Sequence, residues 1–246
     1  MFIGSRHLAG IIPIASQPLD FGFPWHDSLQ PIGQNYLAVE RSVLECAFAG
    51  CDTIWIIAND DMQPLLKSRL GDYAQDPVYI FRKHDPGNIK EHNRLIPIYY
   101  VPIHPKDRDK RDCLAWSVLH GANVSFKISS SLSKWLKPHK YFVSFPYGVY
   151  DPSLLREHRK QISSDKDFFL QYEERTVKNG EYLGFTFGES EYKRYRDHLR
   201  ETSTGAYKPV QQGEYPSEKL PLEERYSARF FSLDKVFGIG DTSGAN

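Results

Sequence analysis

The sequence contains no apolar run of roughly 18 to 20 residues, the length that a membrane-spanning helix requires. Its mean hydropathy is −0.52, so a membrane protein is not predicted. The apolar stretch 8–15 is interrupted by Pro13 and no cleavage-site pattern follows it, so a secretory signal is not expected. We therefore expect a cytoplasmic protein.

An excess of charge of either sign is also absent. Lys and Arg total 31 residues and Asp and Glu total 31, so the net charge at pH 7 is zero. Without net positive charge the chain lacks a general attraction for a phosphate backbone, and nucleic acid is not an expected partner. Cysteine is scarce: Cys46, Cys51 and Cys113 cannot all pair and do not have the spacing of a zinc site. Buried, reduced thiols are expected.

The rest of the composition is typical of a globular protein. The 246 residues are 40% hydrophobic and 25% charged, which excludes disordered, collagenous and coiled-coil classes. Short apolar runs alternate with helical patterns, which predicts an α/β fold with a mostly parallel central sheet and helices on both faces. We expect this domain to span residues 1–201. A C-terminal extension, 202–246, is expected to pack on the domain or on a partner.

The pattern also locates individual elements. Strands are predicted at 9–15, 53–58, 96–103 and 141–145. An antiparallel pair is predicted around the Asn179-Gly180 turn, between 168–172 and 182–187. Helices are predicted from a cap at Asn35 to Gly50, from the Asn59-Asp60-Asp61 start to Leu70, from Cys113 to a stop at Gly121, at 152–162 and at 189–200.

Several short stretches occur in a recognisable order. A Pro-Ile-Gly turn precedes a helix, a Gly-acidic-Ile passage and a strand closing on Asn follow, and a helix start and a strand–loop–helix passage come later. These stretches are Asp27–Leu37, Ala49–Asn59, Arg111–Trp116, Tyr141–Phe145 and Gly148–Leu155. Over roughly residues 9–160 the chain thereby resembles the sugar nucleotidyltransferases, which have the GT-A-like fold of nucleotide-diphospho-sugar transferases.

The resemblance implies a nucleotide or nucleotide-sugar ligand and transfer of a nucleotidyl or glycosyl group with Mg²⁺ or Mn²⁺. The sequence departs from the family at three positions. Residues 15–20 lack the Gly-rich phosphate loop, Asp27 stands where the family has lysine, and Tyr147 stands where it has a metal-binding aspartate. Phosphoryl transfer depends on charge neutralisation, so these departures favour an alternative, a catalytically inactive scaffold or subunit of a larger assembly.

Candidate site residues follow from the same comparison. Asp107 and Asp109 form an Asp-x-Asp pattern that could hold a metal and act in catalysis together with Asp151, although a solvated turn with local ion pairs is an alternative for the pair. Arg108 and Arg111 are candidate phosphate contacts. Gln30 and Asn35 are candidate contacts to a base or sugar. The base, the sugar and any acceptor stay open.

Overall fold

The computed structural model describes five parts of the chain. They are residues 7–15, 25–82, 94–103, 114–206 and 233–239. Of the candidate site residues, Asp107, Arg108, Asp109 and Arg111 lie outside these parts. No helix in the described parts is long and apolar enough to cross a membrane.

Strands and helices alternate along the described chain. The strands are β1 Leu8–Pro13, β2 Pro31–Gly33, β3 Tyr36–Leu37, β4 Thr53–Asn59, β5 Tyr73–Gln75, β6 Leu95–Ile103, β7 Lys140–Val143 and β8 Phe185–Phe187. The α-helices are α1 Ala38–Ala49, α2 Gln63–Leu70, α3 Pro77–Arg82, α4 Leu114–Leu132, α5 Leu155–Ile162, α6 Glu189–Ala206 and α7 Leu233–Phe237. Short 3₁₀ helices occur at Asp27–Leu29, Lys134–Leu136, Pro152–Leu154 and Val177–Asn179.

The central sheet has the strand order β5-β6-β4-β1-β7-β8. The four inner strands β6, β4, β1 and β7 are mutually parallel, and the outer strands β5 and β8 pair antiparallel with their neighbours. Ile11 of β1 is the register partner of Trp55 on one side and of Val143 on the other. The predicted α/β class with a mostly parallel sheet is confirmed.

Alternate residues of the sheet point to two separate apolar cores, because successive side chains of a strand face opposite sides. Ile11, Trp55 and Val101 pack with helix α4 on one face. Ile12 and Ile56 pack with helix α1 on the other face. Both cores are buried, so the sheet is covered by helices on both faces, as parallel sheets require.

Helix α4 is longer than predicted. The sequence pattern placed its end at Gly121, but the helix continues to Leu132. Gly121 lies where the helix approaches the sheet most closely, since a Cβ on this residue would overlap Ile57 and lie 3.1 Å from Ile11. The glycine is therefore a packing residue within the helix rather than its stop.

The predicted cap at Asn35 is wrong. Asn35 lies in the turn between β2 and β3, where its φ of 55° is the left-handed conformation that asparagine tolerates. Helix α1 begins three residues later, at Ala38, and the Glu40 carboxylate accepts a hydrogen bond from the Leu37 backbone N–H at 2.7 Å. The predicted stop at Gly50 is confirmed, with φ of 89°.

The antiparallel pairing predicted around Asn179-Gly180 is only partly formed. Phe169 and Phe185 make an isolated antiparallel bridge, and Thr186 N donates to the Phe168 carbonyl at 2.8 Å. The continuous antiparallel partner of β8 is instead β7. The intervening polar segment forms a 3₁₀ helix that ends at Gly180, so it is longer than a two-residue hairpin turn.

Helix α7 packs into the core beside α4. Phe237 is fully buried, with its ring centroid 4.8 Å from that of Phe185 and 5.2 Å from that of Tyr195. Residues 233–237 therefore contribute to the same apolar core as the sheet. The division of the chain at residue 201 stays a prediction.

Candidate functional site

The order of the strands reverses next to β1. From β1 the chain passes through α1 to β4 on one side, and from β6 it passes through α4 to β7 on the other side. Helices α1 and α4 lie on opposite faces of the sheet. In open α/β sheets such a reversal is the position of a crevice at the carboxyl ends of the two strands, and this is where ligands bind. We use the name carboxyl-edge crevice for this expected position, which is marked by Ala15, Ser117 and Ser144–Gly148; most of these residues are buried.

Hydrogen bonds fix the two strand ends at this crevice. Ser144 N donates to the Ile11 carbonyl at 3.0 Å, which extends the pairing of β1 and β7 by one step. Ala15 N donates to the Ile57 carbonyl at 2.8 Å, and the Ser117 hydroxyl on α4 donates to the Ala15 carbonyl at 2.5 Å. The end of β1 is thus bonded to both β4 and α4.

A buried arginine on α1 holds the loop that follows β7. Arg41 is 1% exposed, and its Nη2 donates to the Phe145 carbonyl at 2.6 Å. Its Nη1 lies 2.9 Å from Glu45 Oε2, one turn further along the helix. The guanidinium carbon is 4.6 Å from the centroid of the Tyr150 ring, a cation–π contact. Arg41 therefore binds both ends of the 145–150 loop.

Glu45 is the acceptor at the centre of this cluster and is fully buried. Ser144 Oγ donates to Oε2 at 2.5 Å, and Tyr150 Oη donates to Oε1. Burial raises the pKa of Glu45, and the Arg41 charge and the three hydrogen bonds oppose this rise. Burial, followed by the Glu45 charge, also raises the pKa of Tyr150, so its hydroxyl stays a donor. We call Arg41, Glu45, Ser144 and Tyr150 the loop anchor.

The contacts of the loop anchor are internal to the protein. Both oxygens of Glu45 are occupied by donors from the same cluster, and none of its four members is exposed. Arg41 Nε is buried without a hydrogen-bond partner in the described parts of the chain. Through Phe145 and Tyr150 the anchor holds the Ser144–Tyr150 backbone at the reversal of strand order.

Asp151, a predicted metal ligand and catalytic residue, follows the anchor directly. Its carboxylate accepts from Ser153 N at 2.9 Å and from Ser153 Oγ at 2.8 Å, which caps the 3₁₀ helix Pro152–Leu154. These hydrogen bonds lower the pKa of Asp151. No group of three or more His, Cys, Asp or Glu side chains that could hold a metal ion occurs in the described parts of the chain. Its partners Asp107 and Asp109 lie outside those parts.

Gln30 and Asn35, the predicted contacts to a base or sugar, lie at opposite ends of the β2–β3 hairpin that precedes α1. Gln30 Oε1 accepts from Trp25 Nε1 at 3.2 Å. The Asn35 side-chain oxygen accepts from Arg69 Nη2 at 3.1 Å and is exposed. Burial raises the pKa of their neighbour Tyr36, and the Arg41 charge lowers it.

Asp27 and Tyr147, two residues singled out in the sequence, both lie in packed surroundings. Asp27 begins a 3₁₀ helix and is 5% exposed. Tyr147 is half-buried, and its ring packs edge-on against that of Tyr182 at 5.4 Å. A Cβ on the next residue, Gly148, would overlap the Tyr182 carbonyl.

Sequence reasoning did not single out the loop anchor. Arg41 and Glu45 are spaced four residues apart, which is the signal of an ion pair on one helix face. Such pairs are usually exposed. What the spacing does not reveal is that Ser144 and Tyr150, about a hundred residues later in the chain, bury the pair completely.

The sequence matches no protein-family model and no curated protein. Solved structures of nucleotidyltransferases are similar to the chain. A putative glucose-1-phosphate thymidylyltransferase from Bacillus anthracis, in complex with a sucrose, is 10% identical with a TM-score of 0.45, covering 77% of this chain and 75% of that one. The inositol-1-phosphate CTP transferase from T. maritima is 12% identical with a TM-score of 0.42, covering 77% and 74%.

A Mycobacterium tuberculosis protein in complex with manganese is also similar in structure. It is 11% identical with a TM-score of 0.40, and the match covers 89% of this chain and 95% of that chain. At these identities and TM-scores the likenesses decide nothing about function, which depends on this chain's own residues.

Proposed function

We propose that the chain binds a nucleotide or nucleotide sugar in the carboxyl-edge crevice. The observation that supports this most is the reversal of strand order between β1 and β7, with α1 and α4 on opposite faces of the sheet. Ligands of open α/β sheets bind at that position. The class of ligand comes from the resemblance of residues 9–160 to sugar nucleotidyltransferases.

The loop anchor supports the proposal by keeping the crevice in a fixed shape. Three buried side chains and the half-buried Tyr150 hold the Ser144–Tyr150 loop, and the Ser117 hydroxyl holds the end of β1 at Ala15. A preformed site loses less conformational entropy on binding than a flexible one.

If the protein is active, it transfers a nucleotidyl or glycosyl group with Mg²⁺ or Mn²⁺. Asp107 and Asp109 are the proposed metal ligands and Arg108 and Arg111 the proposed phosphate contacts, all on the segment that joins β6 to α4. That segment leads from a parallel strand to a helix, the position of ligand-binding loops in this architecture. Asp151 is the third proposed metal ligand, and Ser153 competes for both of its oxygens.

A thermal-shift screen tests the proposal. Nucleoside triphosphates and nucleotide sugars are compared with and without Mg²⁺ or Mn²⁺, because a ligand of the native state raises the unfolding midpoint. We expect a metal-dependent shift with one ligand. Arg108→Ala, Arg111→Ala and the pair Asp107→Asn and Asp109→Asn should each reduce it, whereas Lys67→Ala, which removes an exposed lysine paired with Asp72, should not.

A second candidate is a scaffold of the same fold without catalysis. It is favoured by the departures from the resemblance at residues 15–20, Asp27 and Tyr147. In support, Tyr147 packs against Tyr182 and Asp27 is buried. Flat curves with every ligand, while an active sugar nucleotidyltransferase responds in the same plate, would support the scaffold. A truncation at Thr202 would not test it, because α7 is part of the core.

A further inference from the structure

A second cavity lies at the opposite, amino-terminal edge of the sheet. It has a volume of about 310 Å³ and opens between the α4 face of the sheet and the last turns of α4. Thr53 and Trp55 from β4 and Pro97 and Tyr99 from β6 line its sheet side. We call this space the amino-edge cavity. It is separate from the carboxyl-edge crevice because it lies at the start of the parallel strands.

One wall of the amino-edge cavity is flat and aromatic. The rings of Trp55 and Tyr99 stack with centroids 4.3 Å apart and an interplanar angle of 20°. Tyr99 is 37% exposed, and Leu132 from α4, which also lines the cavity, is 68% exposed. An apolar and aromatic lining with a few polar groups is the usual composition of a ligand pocket.

The other end of the cavity is polar and includes an unsatisfied hydroxyl. Ser129 on α4 lines the cavity and is 5% exposed, and its hydroxyl has no hydrogen-bond partner in the described parts of the chain. The serines one turn before it and two residues after it, Ser125 and Ser131, both donate to carbonyls of the helix. The Ser129 oxygen is not among the buried unpartnered atoms, so it is open to the cavity and can form a hydrogen bond to a ligand in place of one to water.

His7 and Asp52 complete this polar end. Trp55 Nε1 donates to Thr53 Oγ1 at 3.0 Å, and His7 Nε2 lies 3.3 Å from the same hydroxyl oxygen. His7 Nδ1 lies 4.0 Å from Asp52 Oδ2. Burial lowers the pKa of His7 despite the nearby Asp52 charge. The imidazole of His7 and the carboxylate of Asp52 are therefore further polar groups in the lining of the cavity.

We propose that the amino-edge cavity binds a small planar aromatic molecule that carries one ring N–H or hydroxyl group. The volume corresponds to roughly ten water molecules, which is at the lower end for ligand pockets and suits one or two fused rings. The ring would stack against Tyr99, and its polar group would bond to Ser129. The site is independent of nucleotide binding at the other edge.

Indole and 1-methylindole are the matched probes, since 1-methylindole has a methyl group in place of the ring N–H hydrogen. Each is titrated into the ¹⁵N-labelled full-length protein, and backbone amide shifts are followed. We expect saturable shifts at residues of the cavity with indole. Binding of 1-methylindole should be weaker by about 2- to 10-fold, the effect of one neutral hydrogen bond.

Two pairs of variants locate the binding. Ser129→Ala should weaken indole by about 2- to 10-fold and leave 1-methylindole unchanged, whereas Ser131→Ala on the same helix should affect neither. Tyr99→Leu should weaken both probes by about 2- to 10-fold through loss of ring stacking. Tyr73→Leu, which removes an exposed tyrosine of β5 outside the cavity, is its control.

Three results would overturn the proposal. The first is a set of shifts that does not saturate or that falls outside the cavity. The second is equal binding of indole to the wild-type, Ser129→Ala and Tyr99→Leu proteins. The third is a set of amide shifts at the cavity that depends on protein concentration alone, together with a dimer in analytical ultracentrifugation. That result would assign this face to a second copy of the chain.

Discussion

Arg41 Nη2 donates to the main-chain carbonyl of Phe145 at 2.6 Å, and this hydrogen bond connects the first helix to the loop after the seventh strand. The same guanidinium neutralises Glu45, so one buried side chain serves both the fold and the crevice. The stability of the core and the shape of the proposed ligand site are therefore linked at this residue.

Replacing Arg41 by Met should destabilise the protein strongly. The change leaves Glu45 buried without its counter-charge, and breaking a buried ion pair from one side costs about 3–5 kcal/mol. Urea denaturation measures the loss. Arg69→Met is the matched control, because Arg69 pairs with Glu40 of the same helix at the surface, where an ion pair contributes about 0–1 kcal/mol.

A double variant checks the physical reason. In Arg41→Met with Glu45→Gln the unpaired charge is absent, so the double variant should be more stable than Arg41→Met alone. If Arg41→Met lowers the free energy of unfolding no more than Arg69→Met does, the loop anchor does not hold the 145–150 loop as described.

Glu45→Gln should change how stability depends on pH. Burial raises the pKa of Glu45 in the folded protein above its ordinary value of 4.5, so the folded state binds the proton more tightly than the unfolded state. Its contribution to stability is fully present below pH 4.5 and is lost as the pH rises through the folded pKa. The free energy of unfolding of the wild type, relative to Glu45→Gln, should therefore fall with rising pH. A difference that grows over that range would contradict the raised pKa.

Substitutions of Asp151 distinguish a helix cap from a metal ligand. Asp151→Ala should destabilise the protein by about 1 kcal/mol through loss of the cap to Ser153, while Asp151→Asn, which can still cap, should be near wild type. Because the pKa of Asp151 is lowered in the folded protein, its charged form stabilises the fold above the ordinary carboxyl pKa. This stabilisation is lost as the pH falls through the folded pKa. Thermal unfolding measures both variants.

The same two variants are then compared in nucleotide binding with Mg²⁺. If Asp151 is a metal ligand, Asp151→Asn loses the metal-dependent shift even though its stability is retained. An unchanged shift in Asp151→Asn would restrict the role of this residue to capping and leave Asp107 and Asp109 as the proposed metal ligands.

Gly121→Ala should destabilise the protein although alanine favours a helix. The new methyl group would overlap Ile57, and overpacking of this kind costs about 1–3 kcal/mol, more than the gain in helix propensity of about 1 kcal/mol. Ile57→Val removes the overlapping δ-methyl. The double variant should therefore lose less free energy of unfolding than the two single variants lose together, as measured by denaturant midpoints. Simple additivity would mean that α4 does not approach β4 at this point.

The sequence predicted the parts of the fold that depend on local pattern. The strand β4 is a continuous β-branched and aromatic run, and α1 ends where Gly50 can take a left-handed conformation. The end of α4 was not predictable, because whether Gly121 stops a helix or lets it approach a sheet depends on Ile57, a residue far away in the sequence.

The candidate site was less predictable than the fold. Its position follows from the strand order, which requires knowing that β7 pairs with β1 rather than with β6. The loop anchor depends on two contacts across about a hundred residues, from Glu45 to Ser144 and to Tyr150. Local motifs carry no information about such contacts.

The central claim is that a nucleotide or nucleotide sugar binds between the ends of β1 and β7. The most direct measurement is a titration of the ¹⁵N-labelled protein with nucleoside triphosphates and UDP-glucose in the presence of Mg²⁺. We predict that one of them gives saturable shifts at the amides of Ala15, Ser117, Phe145 and Tyr147, with none at Thr53 or Ser129 in the amino-edge cavity. The absence of shifts at those four amides with every ligand, in a protein whose spectrum is that of the folded state, would contradict it.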